Sequence, residues 1–263
     1  MKYISQSQQL LLTIALGFGT LLASSTSLHA IPDSLPTTTA ILAQPVNFNP
    51  PSPPPDPAPG GRVRGGAKRG LCQLITSQLT ALAPFTQEKN SVTNVWGLTT
   101  VTHPTFWFYL PSVKNATLPA EFVLQDSDSN PIYEQAISLQ DRPGVVGVTL
   151  PATVPPLALN KRYRWFFSIY CDPEKQSPPI YVEGVIQRVE LNPTITQKLQ
   201  IAQPLQQFVI YAHNGIWYDA LTTLAQLRQK NLQDQQLQTK WQNLLSSIRL
   251  DDVGKQPILS AKQ

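Results

Sequence analysis

The sequence predicts an α+β fold: an antiparallel β-sandwich of the immunoglobulin-like kind, followed by a C-terminal segment of about three helices. Three observations carry this expectation. Residues Lys161 to Cys171 alternate, with Tyr163, Trp165, Phe167, Ile169 and Cys171 on one face and Arg162, Arg164, Phe166, Ser168 and Tyr170 on the other. Period two is the signature of a strand with one face in a core. Short apolar runs separated by turn formers surround it, and from Pro204 onward the apolar spacing changes to i, i+3, i+4, i+7.

The β portion reads in order. Thr105 to Leu110 is an aromatic strand closed by Pro111. Glu121 to Gln125 and Ile132 to Leu139 flank the turn formers Asp126 to Pro131, a hairpin signal. Val145 to Leu150 places Val146, Val148 and Leu150 on one side, and Ile180 to Val189 gives the last strand. A buried Trp165 on a central strand suits a sandwich. In the α portion, Pro204 opens a helix carrying Leu205, Phe208, Val209 and Ala212, and Asn214-Gly215 ends it. Trp217, Ala220, Leu221, Leu224 and Leu227 form the stripe of the next, with Asp219 in its first turn, where a negative charge favours the dipole. The third carries Leu237, Trp241, Leu244, Leu245 and Ile248 behind the N-cap Asp234. Tyr211 to Leu227 has the local logic of one helix–turn–helix repeat, too little for an array.

Upstream lie two segments of different character. Residues 1–30 read as an export signal: Lys2 is their only charge, an apolar run extends from Leu10 to Leu22, and cleavage falls after Ser27 or Ala30. The run is short for a bilayer span of ~20 residues, and an uncleaved anchor is the alternative. Residues 31–70 read as a linker. Eight of the fifteen residues from Pro45 to Pro59 are proline, which predicts an extended spacer of ~45 Å. Its end is basic, with Arg62, Arg64, Lys68 and Arg69 among glycines, a solubilising flank or a patch for an acidic polymer. The sandwich is assigned to 71–192, the helical segment to 193–253 and a flexible tail to 254–263.

Composition narrows the function classes. The 263 residues are 41% apolar, enough to bury a core, so the chain is not broadly disordered. Charged residues are 14% against roughly 25% in ordinary domains, and the net charge is +4, which is not the profile of a dedicated nucleic-acid binder. The two cysteines, Cys72 and Cys171, are most simply a disulfide in an exported chain. His103 and His213 are too far apart in sequence from them, and lack a C-x-x-C, to make a metal site. Asp126, Asp128 and Asn130 open like a calcium loop, but Pro131 and Ile137 stand where Gly and Glu are needed. No nucleophile elbow, zincin, Walker A or dinucleotide fingerprint is present. No catalytic residue, metal or cofactor is therefore assigned. Trp107, Tyr109 and Tyr170 are the candidate binding surface, as aromatics able to stack on sugar rings.

The order Thr105-Phe106-Trp107-Phe108-Tyr109-Leu110-Pro111, Ala120-Glu121-Phe122-Val123-Leu124, Tyr163-Arg164-Trp165, Cys171 and Gly215-Ile216-Trp217-Tyr218-Asp219-Ala220-Leu221 resembles a cyanobacterial exported family known as a domain of unknown function, the nine-two-eight family. The likeness spans about Gly60 to Pro257. It implies export to the periplasm or beyond and supplies no catalytic residue. The sequence thus points to an exported, non-enzymatic interaction or envelope-associated module. Its partner would be a protein or an envelope polymer and not nucleic acid, with membrane contact only if the signal is retained. A glycan-binding module and an unrecognised hydrolase are the alternatives.

Overall fold

The computed structural model describes residues 39–40, 45–54, 60–65, 75, 77–87, 93–112 and 118–259. All the described residues fall within one compact unit. Among the described residues, two sheets and, from Pro193 onward, four helices build it. The smaller sheet has the order β1-β4-β7, from Thr80–Ala81, Thr105–Leu110 and Gly144–Thr149. The larger has the order β2-β3-β9-β8-β5-β6, from Phe85–Gln87, Thr93–Thr99, Ile180–Arg188, Arg162–Ile169, Ala120–Gln125 and Pro131–Ala136. The helices are α1 (Pro193–Ile201), α2 (Pro204–His213), α3 (Trp217–Lys230) and α4 (Gln235–Ser246).

The two sheets pack face to face through aromatic rings. Phe106 and Phe108 of β4 meet Phe122 of β5 at 4.8 and 6.0 Å, and Phe108 meets Trp165 and Phe167 of β8 at 5.6 and 4.7 Å. Such tilted and edge contacts add about 0.5–1.5 kcal/mol each to the area they bury. β8 follows its sequence pattern, with Tyr163, Trp165, Phe167 and Ile169 buried and the intervening residues half-buried. The hairpin of β5 and β6 forms as expected. Asp126 makes its turn, its Oδ1 accepting from the backbone N–H of Asp128 and of Asn130, each at 2.9 Å. Those donors hold the Asp126 carboxyl below its ordinary range.

Several expectations need correction. The larger sheet is mixed rather than antiparallel, because β3 runs parallel to β9 in the register Trp96↔Val185 to Thr99↔Arg188. The strands β1, β2 and β3 precede the first one read from sequence. Among the described residues the C-terminal segment has four helices, not three. α1 was missed because it has no buried residue; its only signals are Asn192, whose Oδ1 accepts from Thr194 N–H at 2.9 Å, and Pro193 in the first turn.

The described part of the linker is not a free spacer. Val46, Phe48 and Val63 are buried in the core cluster. Arg62 stacks on the Tyr181 ring at 4.5 Å, and Arg64 makes a bidentate pair with Asp252 at 2.7 and 2.8 Å. Lys68 and Arg69 lie outside the described residues. The C-terminal tail is also docked as far as Leu259: Val145 N–H donates to Pro257 O and Leu259 N–H to Val145 O, each at 2.8 Å. Leu259 fills the space left by Gly144, where a Cβ would stand 2.5 Å from its Cγ.

Candidate functional site

The first turn of α3 joins helices to sandwich. Gly215 enters it with φ +73°, a backbone that L side chains rarely adopt. The four residues Trp217, Tyr218, Asp219 and Thr222 then reach four different parts of the β layers. Trp217 Nε1–H donates to Leu82 O at 2.8 Å. Trp165 Nε1–H of β8 donates to Tyr218 Oη at 2.9 Å, and Trp107 Nε1–H of β4 donates to Thr222 Oγ1 at 3.0 Å. Asp219 takes the end of β3: Thr99 and Thr100 hydroxyls donate to its Oδ2 and Oδ1 at 2.6 and 2.5 Å, and Thr100 N–H lies 3.2 and 3.3 Å from the two oxygens. All the indole donors and the carboxylate are buried, so each bond also removes a desolvation cost. Burial pushes the Asp219 carboxyl above its ordinary range, opposed by the Thr100 and Thr99 hydrogen bonds.

Beside this joint run two adjoining depressions that share Gln207 and Tyr211 of α2. One, of about 370 Å³, lies between β9 and the α1–α2 pair and is lined by Arg188, Glu190, Leu191, Leu199 and Gln200 among others. The second, of about 360 Å³, lies between the Val101–Thr105 turn and α2–α3, with His103, Asp219 and Thr222 in its wall. Arg188 braces the floor, donating from Nε to Thr100 O at 3.2 Å and from Nη1 to Leu157 O at 2.9 Å. His103 is tied at both ring nitrogens. Nε2 sits 2.9 Å from Val154 O, which only accepts, so Nε2 donates, and Nδ1 lies 3.0 Å from Thr102 Oγ1. That imidazole is committed to backbone positioning. Apart from Arg188 and Glu190, the groove offers amide, hydroxyl and leucine side chains.

The residues singled out from sequence do not come together. Trp107 and Tyr109 are buried, with 6% and 8% of their surface exposed, so neither offers a ring to a sugar. The cause is that β4 is covered on both faces: Phe106 and Phe108 face the larger sheet, while Trp107 reaches α3 and Tyr109 Oη lies 3.1 Å from Ser77 Oγ. The signal was available, since Thr105 to Leu110 shows no polar alternation, and a continuous apolar strand is buried on two sides. Tyr170 is half-buried; its hydroxyl donates to Glu121 Oε1 at 2.5 Å and Lys175 lies over its ring at 4.6 Å. Burial and that carboxylate raise the phenol to about 12. Cys171 is half-buried, and Cys72 lies outside the described residues. Sequence reasoning did not single out Tyr211, Gln207 or Arg188. For Asp219 it saw only the dipole, although a carboxylate inside an apolar motif is itself a sign of a buried partner.

A mixed α+β body with a docked helical segment defines a module class rather than an activity. The family model of the Domain of Unknown Function DUF928 matches residues 64–258, and the chain belongs to that family. No curated protein and no solved structure matches it.

Proposed function

We propose that the chain is an exported, non-enzymatic interaction module that holds its partner in the groove between β9 and α1–α2. The observation that supports this reading is the groove's chemistry. Arg188 and His103, the two basic groups of the depressions, are both engaged with backbone carbonyls, leaving neutral hydrogen-bonding groups, leucines and the exposed Glu190 carboxylate to meet a partner. Among the described residues no helix is long and apolar enough to cross a membrane. Export rests on the character of residues 1–30.

The module is tested in the full mature chain by a photo-crosslinking residue at Gln200 in the groove, with Gln135 on the exposed edge strand β6 as the control. The expected result is a discrete adduct from Gln200 alone, with a partner that, once purified, binds the wild type and not Leu199→Asp. Equal adducts from both positions, or none from Gln200, contradict the proposal.

We also read the sandwich as immunoglobulin-like. The orders β1-β4-β7 and β9-β8-β5-β6 correspond to the strand orders ABE and GFCC′ of that fold. Trp165 departs from it, lying on the F-equivalent strand rather than on C. A Cys72–Cys171 bridge belongs to the same proposal, and would close a loop of about 99 residues. Thiol counting on the denatured, unreduced protein is expected to find none; two reactive thiols would sink the bridge.

A further inference from the structure

The turn between α2 and α3 receives a peptide. Phe48 packs edge-on against Trp217, with centroids 4.7 Å apart and planes at 71°. Asn49 N–H donates to Ala212 O and Asn49 Nδ2–H to His213 O, both at 3.2 Å. These carbonyls belong to the last turn of α2, where the helix has no later turn to donate to them, although Ala212 O also accepts from Gly215 N–H at 3.3 Å. At Gly215 a Cβ would stand 2.8 Å from Asn49 O and 3.0 Å from Pro51 Cδ, so the turn must be bare for the backbone to approach. Pro50 and Pro51 then run over a hollow of about 110 Å³ walled by Pro84, Phe85, Trp96, Ile248 and Arg249. An aromatic anchor, two main-chain acceptors and a slot for extended prolines are the parts of a proline-rich peptide site.

The family match begins at residue 64, while residues 46–51 lie before it. Trp217, Gly215, the α2 carbonyls and the walls of the hollow all fall within the match. The receiving surface is thus part of the family domain, and its occupant is brought from outside it.

We propose that the crevice at the α2–α3 turn is a recognition site for an extended peptide of the Phe-Asn-Pro-Pro type, filled in cis by residues 46–51. It is a second surface, separate from the groove beside α1. Proline fixes the extended form before binding, so little chain entropy is lost on docking. The covalent tether gives the cis segment an effective concentration on the order of millimolar, which keeps a free peptide out of the wild-type site.

The test uses the full chain with Phe48→Ala and a fluorescent peptide of residues 45–54, followed by anisotropy. Saturable binding at least ~10-fold tighter to the variant than to the wild type is expected. Adding Gly215→Asn should abolish it, since asparagine tolerates the positive φ but places a Cβ against the peptide. Should Phe48→Ala fail to give the wild-type circular dichroism, Asn49→Ala replaces it, removing the side-chain bond to His213. A folded variant that does not bind the peptide, or binds it equally with asparagine at 215, overturns the proposal. Neither result bears on the Gln200 crosslink, so failure here and failure of the groove are distinguishable.

Discussion

Replacing Trp217 by alanine is expected to lower the free energy of unfolding by about 4–5 kcal/mol, the upper range for deleting a buried aromatic. Its side chain has no exposed surface. The indole donates to Leu82 O, so alanine also leaves that buried carbonyl without the donor, at about 1–3 kcal/mol before relaxation. Phe48 loses the ring it packs on. Domains of this size have ~5–15 kcal/mol in hand, so the variant should be marginal at 37 °C. Urea unfolding of the full chain measures it. A loss below ~2 kcal/mol would mean that α3 can settle on the sheets without its anchor.

The second large effect is expected at Asp219, and it depends on pH. Asp219→Ala leaves the hydroxyls of Thr99 and Thr100 and one backbone N–H short of an acceptor in a buried joint, at a cost of about 2–3 kcal/mol. Titration adds a sign. Burial raises the folded-state carboxyl above its unfolded value of about 3.8. Between those two values the native state holds a proton that the unfolded chain has released. Stability from this group is therefore fully present at and below the unfolded value, and falls as pH rises through the folded one. Wild type should gain stability relative to Asp219→Asn as pH is lowered from 7 toward 4. Asp252 acts oppositely: Arg64 holds its carboxyl low, and that contribution fades in acid, which is why the comparison is made against the Asn variant. A wild-type-minus-Asn difference that stays flat from pH 4 to 8 would place no titrating carboxylate in the joint.

What was legible in the sequence follows from periodicity. β8 and the three longer helices each have one face in the core, so their apolar residues recur at 2.0 or 3.6, and both were read correctly. β3 has five buried residues in seven, because β2 and β9 flank it within the larger sheet and α3 lies over Gly97; such a strand has no alternation to find. Its parallel pairing with β9 links residues nearly ninety apart and leaves no local trace. The tail and the proline-rich segment fail for a different cause. Each docks through a few residues, Leu259 at Gly144 and Phe48 at Trp217, and a single anchor in a proline-rich or polar stretch has no period at all. The site suffered most, since its polar members come from β3, β4, β8, α2 and α3 and meet only after the sheets have closed over one another.

The central structural claim is that helices and sheets share one core, joined at the first turn of α3. Native-state hydrogen exchange on the full chain tests it most directly. The slowest amides of α3, residues 217–230, and of β8, residues 162–169, should converge on one opening free energy with one denaturant slope. If those of α3 open several kcal/mol below those of β8, the helices are a separate layer resting on the sandwich, and the joint described here does not hold them together.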